Sequence, residues 1–137
     1  AHIECEHALK TGRAGHKACA QQPAGRSGQQ QIHGVVRGLI DADGTRHAMA
    51  GLLALETSFA KPKLHLGYRR AVTVDGGTLG KAGTAFRGHE FHYAEVIKEG
   101  PGEPLFHAAG AEAQDLGPAG LVDGQVCGSF IHLIDRE

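Results

Sequence analysis

Turn signals recur so closely along this chain that most of it has no uninterrupted stretch for long helices. Asp43-Gly44, Pro62, Asp75-Gly76-Gly77, Pro101-Gly102 with Pro104, Gly117 to Gly120, and Asp123-Gly124 divide the sequence from residue 34 onward. Asp-Gly pairs favour tight turns because Gly accepts φ > 0 without steric cost, and Pro cannot donate to a sheet ladder. Gly makes up 21 of 137 residues, so turns and loops should be frequent. The pieces between the breaks are apolar and short. Val35, Val36, Leu39 and Ile40 form one cluster, and His47 to Leu55 a second. Leu64, Leu66, Tyr68, Val72 and Val74 keep a period of two, which predicts a half-buried strand. Thr84 to Ile97 carries Phe86, Phe91, Tyr93 and Val96 and reads as its strand partner. Leu105 to Ala109 is a short strand, Gly117 to Gly120 a loop, Leu121 to Val126 a hairpin turning at Asp123-Gly124, and Ser129 to Ile134 the last strand. The expectation is a mostly β run with little helix.

Residues 1–33 read differently. Their only large aliphatics are Ile3, Leu9 and Ile32, and Gln21, Gln22 and Gln29 to Gln31 make a polar stretch. Little apolar surface is there to offset chain entropy, so a poorly ordered segment is expected before a single domain over 34–137. The formal net charge of −1 gives no electrostatic case for nucleic acid or an anionic membrane surface. No apolar run reaches the roughly 20 residues of a membrane helix. Ala1 to Ala20 lacks the apolar core of a signal peptide. Three cysteines, Cys5, Cys19 and Cys127, match no zinc or redox spacing, and a reducing cytoplasm is the simplest setting.

Five phrases are more specific than composition: Gly38-Leu-Ile-Asp-Ala-Asp-Gly44, Met49-Ala-Gly-Leu-Leu-Ala-Leu-Glu-Thr-Ser-Phe59, Lys63-Leu-His-Leu-Gly-Tyr-Arg69, Arg87-Gly-His-Glu-Phe-His-Tyr93 and Gly128-Ser-Phe-Ile-His-Leu133. In this order and spacing they resemble the glutaminase domain of cobyrinate or hydrogenobyrinate a,c-diamide synthases, over Gly34 to Asp135. The resemblance implies an α/β, partial flavodoxin-like class I glutamine amidotransferase domain with a β-rich antiparallel portion. It also implies a reaction. A Cys thiolate attacks the glutamine carboxamide, ammonia leaves a glutamyl thioester, and water releases glutamate, with a His as acid/base partner. The ammonia goes to an ATP-binding synthetase domain, where ATP and Mg²⁺ activate the carboxylates of a corrin precursor. Neither cofactor is expected in this chain, and no metal site is expected.

Carried residue by residue, the resemblance makes His132 the acid/base group and His89, Glu90 and His92 substrate-proximal. An imidazole that titrates near neutrality can both accept and return a proton. The alternative for His132 is a strand His satisfied by hydrogen bonds. In a strand, His89 and His92 point to opposite faces and suit no shared metal. Glu56 to Phe59 fit either a cap or loop, or the active face. Tyr68, Arg69 and Arg70 fit the end of a strand facing the synthetase domain, or a solvated edge.

The nucleophile does not carry over. Counting back from Gly38 by the family's spacing lands near Gln29, in Gly28-Gln-Gln-Gln-Ile-His-Gly34, without the Cys or the paired glycines of a nucleophile elbow. Cys5, in Ile3-Glu-Cys-Glu-His7, is a weak candidate, and Cys19 a weaker one. Cys127 and His132, read on one strand, are an odd number of residues apart and face opposite ways, leaving Cys127 a small core residue. The expectation is a fragment of an ammonia-supplying enzyme, inactive alone, from a truncated, fused or frame-shifted gene. A non-catalytic module binding glutamine or a partner domain, and a His-rich metal binder, are the other readings.

Overall fold

The computed structural model describes residues 18–19 and 35–137. These residues form eleven strands: β1 (Ala18–Cys19), β2 (Val36–Ile40), β3 (Arg46–Ala48), β4 (Leu53–Ser58), β5 (His65–Thr73), β6 (Ala85–His92), β7 (Glu95–Glu99), β8 (Glu103–Gly110), β9 (Asp115–Asp123), β10 (Val126–Gly128) and β11 (Ile131–Arg136). There is no helix among the described residues. The β-rich portion that was expected is present, and the α/β, flavodoxin-like part is not seen among the described residues. The segment 1–33, apart from β1, lies outside the described residues.

The strands make a seven-stranded sheet, ordered β1-β10-β9-β8-β5-β6-β11, and a four-stranded sheet, ordered β3-β2-β4-β7. Pairing is antiparallel except at β1–β10 and β2–β4. The second parallel pair needs no helical crossover. β3 folds back on β2, and residues 49–52 pass across the start of β2 to its other side, where Gly51 N–H donates to the Val36 carbonyl at 2.9 Å. Gly51 has φ 71°, which a glycine supplies without strain.

Local chemistry sets the turns where expected. Asp41 Oδ1 accepts from the Asp43 and Thr45 N–H groups at 3.0 and 2.8 Å, and Gly44 follows with φ 85°. Val126 pairs directly with Asp123, leaving Gly124 (φ 56°) and Gln125 as a two-residue hairpin loop. Residues 117–120 were expected to be a loop and instead lie inside β9. Gly117 and Gly120 take φ of 77° and 73° there, bending the strand while its pairing with β8 persists around a register shift at Ala108/Ala109. The stretch 84–97 is not one strand either. β6 joins the larger sheet and β7 crosses to the smaller one.

One core joins Ala71, Phe86, Leu105, Phe106, Ala108, Cys127 and Ile131 within the larger sheet, and Phe86 meets Phe106 edge-to-face at 6.5 Å. A second joins Val36, Leu53 and Leu55 of the smaller sheet to Leu121 of β9, and so packs the two sheets together. Glu56, Thr57 and Ser58 are buried within β4, so of the two readings for Glu56 to Phe59 the cap or loop gives way to strand interior over 56–58. Arg46 holds the Glu56 carboxylate at 2.6 Å. The outer strands of the smaller sheet carry charge: Arg46 and His47 on β3, and Glu95, Lys98 and Glu99 on β7.

β5 reverses one expectation. The strand is present, but its apolar period points outward: Leu66 is 62% exposed and Tyr68 70%. The inward positions of its first half are His65, Gly67 and Arg69. They face inward because ion pairing, not apolar packing, fills that part of the interior.

Candidate functional site

β6 presents two different surfaces. Its register with β5 aligns Tyr68 with His89 and Leu66 with Phe91, and its register with β11 aligns His132 with His89. Directly paired residues share a face. Tyr68, His89 and His132 therefore form one row across three strands, on the side where Leu66 and Phe91 also lie. The His89 and His132 rings stack at 4.8 Å with 22° between planes. Close strand approach supports this row. A Cβ at Gly88 would sit 2.6 Å from the His132 carbonyl oxygen, so only glycine lets β11 lie against β6 there.

The opposite surface of β6 carries Glu90 and His92. His92 is sandwiched between His65, at 4.6 Å and 5°, and Phe130, at 4.0 Å and 21°. Its Nδ1 lies 2.9 Å from the Ala94 carbonyl and its Nε2 2.7 Å from Glu90 Oε1. Arg69 Nε donates to Glu90 Oε2 at 2.8 Å. The hydrogen bond from His92, and then that from Arg69, pull the Glu90 carboxyl from 4.5 to about 2 against the opposing effect of burial. Burial, with the neighbouring His92 charge, lowers the His65 imidazole below its usual range. His65, Glu90, His92 and Phe130 line a cavity of about 650 Å³ between the sheets, shared with Leu55, Glu95, Glu99, Ser129 and Leu121.

The residues singled out from sequence therefore separate. His132 and His89 come together on the outward side. Glu90 and His92 sit behind them, and the expected opposition of His89 and His92 holds. His132 is not among the residues lining the cavity beside Glu90 or the one beside Thr73 and Asp75. Cys5 lies outside the described residues, and Cys19 is placed only by its backbone, paired in register with Cys127. Cys127 is 3% exposed and belongs to the core, as expected. The reason given for separating it from His132 needs correction. The two are not on one strand, because β10 and β11 stand on opposite sides of the larger sheet with four strands between them. His65, Arg69 and Phe130 were not foreseen as partners of Glu90 and His92. The signal available was the odd-numbered phase His65, Gly67, Arg69, hidden beneath a more apolar even phase.

Comparison with known proteins gives the class to which this β-rich arrangement belongs. Residues 35–137 match the model of the CobB/CobQ-like glutamine amidotransferase domain, and the chain belongs to that family. It is 48% identical over 126 residues to hydrogenobyrinate a,c-diamide synthase of Sinorhizobium sp, covering 90% of this chain and 28% of that protein. It is 54% identical over 98 residues to the enzyme of the same name from Rhizobium meliloti (strain 1021), covering 72% of this chain and 22% of that protein. The Agrobacterium fabrum enzyme of that name is 50% identical over 98 residues. The chain thus spans about a quarter of the length of these relatives. No helix among the described residues is long and apolar enough to cross a membrane.

Proposed function

We propose that this chain is the ammonia-supplying portion of an ATP-dependent cobyrinate or hydrogenobyrinate a,c-diamide synthase. In this reading the described strands complete a flavodoxin-like class I domain whose remaining α/β part supplies the nucleophile. The observation that carries it is the placement of His132. The family match runs through this residue, and β11 presents it in a row with His89 and Tyr68.

His132 takes the thiol proton as sulfur attacks the glutamine carboxamide. It returns a proton to the leaving nitrogen, then activates the water that releases glutamate. His89 packs flat against it and fixes the plane of the imidazole, while Tyr68 borders the row. Glu90 and His92 act from behind the strand. The partners are glutamine, a synthetase domain using ATP and Mg²⁺, and a corrin precursor reached through that domain. The cytoplasm is the proposed setting. Without a nucleophile elbow the chain alone releases no ammonia.

The test is a chimera in which residues 35–137 replace the matching segment of the Rhizobium meliloti relative. Amidation is measured with glutamine and, separately, with ammonium as nitrogen source. The chimera should use both, and His132→Ala should lose only the glutamine-dependent rate. Equal loss with both nitrogen sources, or no loss with either, overturns the assignment.

A further inference from the structure

Behind the row of Tyr68, His89 and His132 lies a set of metal-type donor groups. His65, Glu90 and His92 each present one ligand atom, and the three atoms lie within 4.8 Å of one another. The details of their bonding are unusual for a purely structural cluster. Both His92 nitrogens face acceptors, the Ala94 carbonyl at 2.9 Å and Glu90 Oε1 at 2.7 Å. A neutral imidazole has a single N–H. With Nδ1–H donating to Ala94, Nε2 faces a carboxylate oxygen, a position that a second ring proton fills and that a metal ion can take over when that proton leaves. The Nδ1–H to carbonyl bond is also the support by which metal-ligating histidines are oriented. Glu90 is braced in the same manner, its second oxygen accepting from Arg69.

His65 adds an independent observation. Its Nε2 is buried and has no hydrogen-bond partner. A buried polar atom without a partner costs free energy that a coordinate bond would recover. The cavity it lines has Glu90, Glu95 and Glu99 as its charged carboxylate groups, and no Lys or Arg among its lining residues. That wall attracts a cation and repels an anion.

We propose that His65, Glu90 and His92 form a site for one divalent metal ion of the zinc type, with a fourth position open to the cavity. Two imidazoles and one carboxylate are the nitrogen and oxygen donors that zinc and its first-row neighbours prefer. With metal–nitrogen bonds of about 2.0–2.1 Å, tetrahedral ligand atoms stand about 3.3 Å apart, so the cluster closes on loading. His65 is the residue that moves. It begins β5 after the exposed stretch 60–64, whereas His92 is clamped by Phe130 and Ala94. Its ring tilts out of the parallel stack to turn its lone pair toward the metal. Binding displaces the proton shared by His92 and Glu90 into solvent.

This inference does not rest on the amidotransferase reading, and its test needs no turnover. The whole 137-residue chain, freed of metal by chelator, is titrated with Zn²⁺ by calorimetry. Co²⁺ is used in parallel as a visible-absorption probe. One equivalent should bind with micromolar affinity or tighter, with Co²⁺ bands of a four-coordinate nitrogen and oxygen site, and Zn²⁺ should raise the Tm. His65→Phe preserves the ring stack and removes one donor; it should weaken Zn²⁺ binding at least tenfold and abolish the rise in Tm. Glu90→Gln should do the same. His47→Ala and His107→Ala, at the exposed pairs with Asp41 and Asp115, should change nothing. Absence of a stoichiometric site, wild-type affinity in His65→Phe, or sulfur in the first shell of the wild type by X-ray absorption overturns the proposal. The first and last of these are read on the wild type, so a variant that fails to fold leaves the wild-type result standing.

Discussion

The two surfaces of β6 invert the usual division of labour between polar and apolar residues. On the inward side, Arg69, Glu90 and His92 form a connected set of charge-assisted bonds in a largely buried place. On the outward side, Leu66 and Tyr68 lie exposed beside the stacked pair His89 and His132. Charged groups are buried where they hold one another, while Leu66 and Tyr68 are left exposed. The difference teaches that burial here follows pairing: the inward set is held by its own bonds, and the residues proposed for chemistry lie on the outward side, although hydrophobicity alone would assign the two sides the other way round.

The strongest way to break this division is at His132. In the chimera, His132→Ala should lower glutamine-dependent turnover by at least about 100-fold, the scale of a lost general acid/base. Its urea midpoint should stay within error of the parent. A large stability loss with modest loss of turnover would reverse the assignment of the two surfaces. Next is Glu90→Ala, which leaves the Arg69 guanidinium and the His92 ring without the carboxylate that holds both. Unfolding in urea should show a cost of about 3 kcal/mol.

The acid limb of stability sharpens the inward half. The Glu90 carboxyl is held at about 2, below its ordinary 4.5, by His92 first and Arg69 second. A depressed carboxyl stabilises the fold fully above the ordinary value, and that contribution fades as pH falls from 4.5 toward 2. After allowance for solvent screening it is on the order of 2 kcal/mol. Denaturation midpoints measured from pH 5 downward should fall more steeply for the wild type than for Glu90→Gln. The smallest effect belongs to the outward half: Leu66→Ser and Tyr68→Ser should each shift stability by no more than about 0.5 kcal/mol.

Much of this was legible in the residues. Asp43-Gly44 and Asp123-Gly124 mark real hairpins because their chemistry is local, and the opposed faces of His89 and His92 follow from strand geometry. The family phrases led to the amidotransferase class. What stayed hidden depended on distant partners. The even phase of β5 looks like a core stripe until Glu90, some twenty residues away in sequence, draws Arg69 inward. Gly117 to Gly120 has turn composition, yet β8 supplies a ladder that keeps it in a strand. Cys127 and His132 looked like one strand because nothing local announces that Gly128 to Phe130 carries the chain from one side of the sheet to the other.

The charged borders of the smaller sheet have a practical consequence. Arg46 and His47 at one border, and Glu95, Lys98 and Glu99 at the other, discourage another molecule from adding a strand. At the far end of the larger sheet β11 ends in Asp135 and Arg136 after a bulge, which spoils it as a template. With Leu66 and Tyr68 exposed on one face, these borders keep the sheets from being lengthened strand by strand.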